Sequence, residues 1–275
     1  MPGLLEAPSG AGRAADPRRA GRALVNPLDQ YHPASSFEQA RHVRPGPVGG
    51  SRATSVRRSL VAPTDAAAHF IQVSDVGPSR PFAEVVADRV SSRRLTPPSA
   101  EEIGLVIARA GLSRATATDS TGMAIGSRAA PSAGGRHPFE LALLARDVRG
   151  IPPGLWVLDA HAAVLRRGTI TDERATSALA DIADATRAGN PPAAVFVVAD
   201  PALTLSRYPL GDSLLWREAG ALLMLLHLAA TDIGLSSCIV GTTGRLLDNE
   251  PYQDGPIDLG CVCLGHLAPD PAPVV

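Results

Sequence analysis

One stretch limits what this chain can become more than any other. Leu214 to Thr231 is apolar almost all round, with Leu222, Leu223, Met224, Leu225, Leu226 and Leu228 clustered in it. A helix without a polar face belongs at the centre of a fold or at a subunit interface. Exposing it to water would cost roughly 25 cal/mol per Å² of apolar surface. Gly234 marks its end. Ala193-Ala-Val-Phe-Val-Val-Ala199 is also apolar without alternation, the pattern of a strand covered on both faces. The 275 residues are enough to supply that cover, as one large domain or two small ones. No apolar run reaches membrane-spanning length uninterrupted, since Leu222 to Leu228 is short and His227 breaks it. His227 on this helix reads as a hydrogen-bonded core histidine rather than a ligand.

Composition removes several function classes. With 45% hydrophobic residues, 19% charged residues and a net charge of −1, nothing points to a nucleic-acid or membrane partner. The 26 basic residues include no lysine, which excludes a Schiff-base lysine, a P-loop lysine and a lysine general base. Three cysteines make no disulfide framework, so a cytoplasmic location is expected. The N-terminus carries arginines but no apolar segment behind them, unlike a secretory signal.

Three regions are expected: an irregular, partly disordered arm over 1–80, a folded domain over 81–267 and a tail over 268–275. In the domain, Phe82 to Arg89 reads as a helix. Ser99 with Glu102 forms a capping box for a second helix that ends at Gly111. A Thr/Ser/Ala-rich connection follows. Phe139 to Ala145, Leu155 to Leu158 and Ala162 to Arg166 read as strands, Thr171 to about Arg187 as a helix and Ile257 to Leu264 as the last strand.

Between these elements lie three loops with chemical content. Arg89-Val-Ser-Ser-Arg-Arg94 suits a phosphate or a merely solvated surface. In Pro131-Ser-Ala-Gly-Gly-Arg136 the proline fixes φ and the glycines permit close backbone approach, as in a cofactor cradle or an ordinary turn. Arg128 and Arg136 flank it with planar forks that suit phosphate or an electron-rich ring. Ser236 to Gly244 is a second small-residue loop. No HExxH, CxxC pair or histidine–carboxylate spacing makes a metal site, no GxGxxG follows a strand, and no G-x-S-x-G elbow exists. Arginines for a phosphate and backbone N–H groups for ring heteroatoms describe an anionic, flat cofactor such as flavin mononucleotide (FMN), without requiring it.

From about Tyr31 to Leu267 the chain resembles the nitroreductase-like flavoproteins, and within them the SagB/McbC-type azoline dehydrogenases. The resemblance rests on Tyr31-His32 with Ser35, on Arg89-Val-Ser-Ser-Arg93, on Arg128-Ala-Ala-Pro-Ser-Ala-Gly-Gly-Arg-His-Pro138, and on Glu218-Ala-Gly220 with Gly234-Leu-Ser-Ser-Cys-Ile-Val-Gly241. It implies an α+β fold with an antiparallel-rich central sheet flanked by helices, a homodimer, and FMN at the subunit interface. Carried over by motif, Arg89, Ser91 and Arg93 would hold the phosphate. Pro131, Ser132, Ala133 and Gly134 would line the ribityl chain and ring, and the backbone at Val240 and Gly241 would face flavin N5. The implied reaction oxidises thiazoline or oxazoline rings in a ribosomally made peptide, supplied by a cyclodehydratase partner. Where that branch carries Lys-Tyr before the long helix, this chain has Arg207-Tyr208. Tyr208 would take the ring proton. A tyrosine hydroxyl ordinarily ionises near ~10 and needs an activating neighbour. Arg207 offers charge but cannot accept a proton. A generic NAD(P)H-dependent nitroreductase or flavin reductase, and a non-catalytic docking subunit, stand as alternatives.

Overall fold

A computed structural model describes residues 70–120, 122, 124–208, 210–241, 246–247 and 256–269. The expectations for Tyr31, His32, Ser35 and the rest of 1–69, for Thr242 to Gly244 and for 270–275 lie outside the described residues.

The order of elements is β1 (Phe70–Gln72), α1 (Phe82–Asp88), β2 (Leu95–Thr96), α2 (Ala100–Gly111), β3 (Ala115–Thr118), β4 (Ala124–Ser127), β5 (Phe139–Ala145), β6 (Gly154–Asp159), β7 (Val164–Arg167), α3 (Asp172–Thr186), β8 (Ala193–Ala199), α4 (Pro201–Leu205), α5 (Asp212–Asp232), β9 (Ser236–Val240) and β10 (Ile257–Leu267). An antiparallel sheet runs β1-β7-β6-β5-β8-β10-β2, and β9 also pairs with β10. β3 and β4 form a separate hairpin.

The two apolar stretches meet in the middle of the fold. Every residue of β8 is buried. Val195 and Val197 pack with Leu141, Leu143, Ile103, Ile107, Leu222 and Leu226, in the layer of α2 and α5. Ala194, Phe196 and Val198 pack the opposite way, with Ala142, Leu144, Ala178, Leu179 and Ile182 of the α3 layer. The fold is therefore three layers, α+β, with helices on both faces of an antiparallel sheet. α5, at 21 residues, is long and apolar enough to cross a membrane by length and composition. Ten of its residues, from Leu215 to Thr231, are buried inside the protein, which makes it a core helix.

The capping box is formed: the Ser99 hydroxyl accepts from the Glu102 N–H, and Glu102 Oε2 accepts from the Ser99 N–H at 2.7 Å. Three expectations need correction, and one short helix was not anticipated. Residues 70–72, placed in the irregular arm, form an edge strand against β7. The Thr/Ser/Ala-rich connection contains the β3–β4 hairpin, whose first strand is exposed throughout, so no hydrophobic alternation betrays it. Residues 201–205 form the short helix α4, capped by Asp200. Ser236 to Val240, read as the start of a loop, is strand β9, whose small residues are held by pairing with residues 261–265 of β10.

Candidate functional site

The first cluster forms where α1 stops. Arg89 has extended backbone at the end of that helix, and the next residues run beside β9. Ser91 pairs with Ser237 in a single parallel bridge, and the Ser92 N–H donates to the Ser237 carbonyl at 2.9 Å. Arg89 Nη1 lies 3.0 Å from His227 Nε2, and His227 Nδ1 meets the Ser237 hydroxyl. Burial first, then the Arg89 charge, pushes the His227 pKa down. The neutral ring accepts from Arg89 at Nε2, so its proton sits on Nδ1 and is donated to Ser237.

Arg93 reaches the neighbouring Cys238. Ser91 and Arg93 are exposed and Arg89 is half-buried. Among the described residues neither Arg89 nor Arg93 has a carboxylate partner. Val240 is buried and Gly241 exposed at the far end of β9, ~10 Å and ~13 Å from Ser237 at ~3.3 Å per residue.

The second cluster is the 131–136 loop. The Ala133 N–H donates to Glu218 Oε1 at 2.7 Å, which clamps the loop to α5. Within the loop, the Gly135 N–H donates to the Ser132 carbonyl at 3.0 Å and the His137 N–H to the Ser132 hydroxyl at 2.9 Å. Gly134 has φ +63°, and a Cβ there would stand 3.1 Å from the Tyr208 hydroxyl oxygen and 3.9 Å from Arg136 Nε. Tyr208 is held on the turn between α4 and α5: its N–H donates to Thr204 at 2.9 Å and its carbonyl accepts from Gly211 at 2.7 Å. Arg207 is half-buried, and no hydrogen bond or ion pair is made by its side chain among the described residues.

Three charged groups here have surroundings that their sequence positions did not show. Glu218 is 9% exposed, and its Oε2 is buried with no partner, at the edge of a small cavity shared with Pro131, His137 and Leu222. Arg136 and Arg128, expected to offer their forks to a ligand, point into the protein. Arg136 is buried, donates from Nη2 to Asp119 at 2.9 Å, and leaves Nε and Nη1 without partners. Arg128 donates to the Phe139 carbonyl at 2.8 Å. The ring of His137 bonds the Gly126 carbonyl at 2.8 Å, and burial lowers its pKa despite that bond, with Arg128 acting the same way as burial. A carboxylate in an otherwise apolar helix was the available signal for Glu218. Arg136 was marked by its loop, but nothing local marks its partner, Asp119, 17 residues away.

Helix α5 carries both clusters, but at two stations. Glu218 and His227 are nine residues apart, about ~13.5 Å along the axis and on opposite faces at ~100° per residue. Tyr208 is thus brought to Pro131–Gly134, and Ser91 and Arg93 to β9, at opposite faces of α5. Among the described residues, no group of three or more His, Cys, Asp or Glu could hold a metal ion.

Comparisons with known proteins agree with the architecture. Similar folds occur in a protein assigned as a nitroreductase in Ralstonia eutropha JMP134, with 19% identity, 82% of this chain and 100% of that one covered, and a TM-score of 0.57. Another, from Anabaena variabilis ATCC 29413, has 16% identity and a TM-score of 0.53; 85% of this chain is covered, which spans only 46% of that one. A chain of the Escherichia coli microcin synthetase McbBCD complex, crystallised with truncated pro-MccB17, has 19% identity, 84% and 87% coverage, and a TM-score of 0.52. No curated protein matches the sequence. The sequence model of the nitroreductase family matches residues 86–246, more than half of the chain and nearly every element that holds the two clusters, and the chain belongs to that family.

Proposed function

We propose that the chain is an FMN-dependent dehydrogenase that oxidises thiazoline or oxazoline rings to thiazoles or oxazoles in a ribosomally made peptide. Family membership carries the general expectation of an FMN-dependent oxidoreductase. The residues fit such a cofactor chemically. Arg89 and Arg93 are two guanidinium groups without carboxylate partners among the described residues, and Ser91 adds an exposed hydroxyl, a donor set for a phosphate. Pro131, Ser132, Ala133 and Gly134 offer a glycine-bearing backbone already fixed by Glu218, suited to the ribityl chain and ring. Val240 and Gly241 would present backbone to the reactive edge. FMN, when bound, supplies the two-electron acceptor.

The chain's own part is to hold the ring against that acceptor and to remove a proton. The observation that carries the reading is the placing of Tyr208, whose hydroxyl stands directly over Gly134 of the loop. Tyr208 would accept the proton from the azoline ring carbon, and Arg207, with no other partner, would supply positive charge nearby. Because the two clusters sit on opposite faces of α5, we further propose that one cofactor is held by two copies of the chain. The arginines would come from one copy and the loop with Tyr208 from the other. The peptide would arrive from a cyclodehydratase partner. A fold shared with a chain of the pro-MccB17-bound complex supports a peptide substrate.

The test is a mass measurement. The FMN-loaded protein is expected to remove two mass units per ring from an azoline-containing peptide, and Tyr208→Phe to slow this by roughly a hundredfold or more. No mass loss with FMN bound would sink the proposal. A second reading, an NAD(P)H-dependent nitroreductase or flavin reductase, is supported by the family match over residues 86–246. Rapid anaerobic bleaching of the yellow colour by NADPH would support it.

A further inference from the structure

The buried histidine of α5 has a geometry that a core histidine does not need. His227 is 1% exposed and lies in a helix whose other inward residues are almost all apolar. Both of its nitrogens are used, one on the Ser237 hydroxyl and one on Arg89. Ser237 is itself tied, through its backbone, to Ser91 and Ser92. The chain of contacts Arg89–His227–Ser237–Ser91 therefore closes on itself and fixes the segment that carries the proposed phosphate ligands.

The atom that His227 takes matters. In a guanidinium, Nη1 lies on the side of Cδ, while Nε and Nη2 share the opposite edge, the edge that meets an oxyanion with two parallel bonds. With Nη1 on His227, Arg89 keeps that edge, and no other described residue bonds it. A neutral imidazole is also the right partner. A carboxylate there would cancel the charge that the phosphate needs, and a protonated ring would repel the guanidinium.

We propose that His227 is a positioning residue for phosphate recognition: through Nε2 it holds Arg89 so that the Nε–Nη2 edge faces the cofactor phosphate. This rests on the reading of Arg89 as a phosphate ligand. The chain then selects a phosphorylated flavin over a flavin without phosphate, and His227 sets part of that selectivity without touching the cofactor.

The experiment measures the dissociation constants of FMN and riboflavin for the full-length protein by quenching of flavin fluorescence, in wild type, His227→Asn and His227→Gln. The amide of asparagine reaches the place of Nδ1 and keeps Ser237 but not Arg89. The amide of glutamine reaches the place of Nε2 and keeps Arg89. The wild type is expected to prefer FMN strongly. His227→Asn is expected to lose roughly tenfold of that preference, the worth of one hydrogen bond to a charged group, with riboflavin affinity unchanged. His227→Gln is expected to retain it. Equal preference in all three proteins, or equal loss in both variants, would overturn the role of His227 and leave Arg89 as a phosphate ligand untouched. A wild type that binds the two flavins equally would remove the phosphate reading itself, and with it this inference. Thermal unfolding of each variant identifies any that does not fold; if His227→Asn is among them, Arg89→Gln replaces it, read against His227→Gln in the same ratio.

Discussion

His137 and His227 each sit in the fold with a lowered pKa, burial being the main cause for both. An unfolded histidine ionises near ~6.5. Between that value and the lower folded values the unfolded chain binds more protons, so stability must fall as the solution is acidified. The flavin-free protein is therefore expected to show its full denaturant midpoint above about pH 6.5 and a falling one as the pH drops below that value. A midpoint that is flat or rising on acidification there would contradict the buried, neutral state of both rings. At this scale the sequence was readable where a motif was local. Arg89, Ser91 and Pro131 to Gly134 sit together within short windows, and so did the capping box of Ser99 and Glu102. The contacts that organise them span 138 residues from Arg89 to His227 and 85 from Ala133 to Glu218, distances over which residue order carries no signal. Arg207, chosen for its place beside Tyr208, meets no described partner, whereas Arg136 lies near the same glycine.

Helix α2 tests the packing of one element on the sheet. A Cβ on Gly111 would stand 2.5 Å from Leu158 Cδ2 and 2.7 Å from Leu141 Cδ1, and both leucines are 1% exposed. A Cβ on Gly104, in the same helix, would meet only Val73, at an ordinary 3.5 Å. Replacing glycine by alanine inside a helix gains about 1 kcal/mol of propensity, and overpacking a core loses about 1–3 kcal/mol. Gly104→Ala is thus expected to stabilise the protein by up to ~1 kcal/mol and Gly111→Ala to destabilise it by ~1 kcal/mol, read from urea unfolding. The opposite order would mean that the α2 face is looser than the contacts imply. Elements with a strong pattern were legible: β8 by its unbroken apolar run, α5 by its length, α2 by its cap. The exposed β3–β4 hairpin and the small residues of β9 were not, because pairing with a distant partner, rather than their own side chains, makes them strands.

For the whole molecule, the separation of the two clusters along α5 bears on the proposal that two copies share one cofactor. α5 leaves Trp216 and Met224 exposed, and α1, packed beside it, leaves Phe82 and Val86 exposed. Apolar surface of this kind is what a subunit contact covers. Light scattering is expected to give twice the monomer mass and Met224→Glu to shift it toward the monomer. Two dead variants, Arg89→Ala and Tyr208→Phe, are expected to regain part of the azoline activity when co-expressed, since a mixed dimer would hold one intact site. Absence of recovery in a verified mixed dimer would place the whole site in a single copy. The antiparallel α+β sheet follows the resemblance, while the division of the site between two stations was hidden until α5 was seen to bear both.

β9 has one edge paired with β10, and along its other edge the only pairing among the described residues is made by Ser91 and Ser92, through one bridge and one hydrogen bond. The segment proposed to grasp the phosphate is therefore also the guard on an open strand, the kind of edge at which chains stick to one another. A ligand that steadies Arg89 and Ser91 steadies the guard. If that segment does grasp the cofactor, loading and resistance to clumping are linked, and flavin-free protein is expected to aggregate before the loaded form.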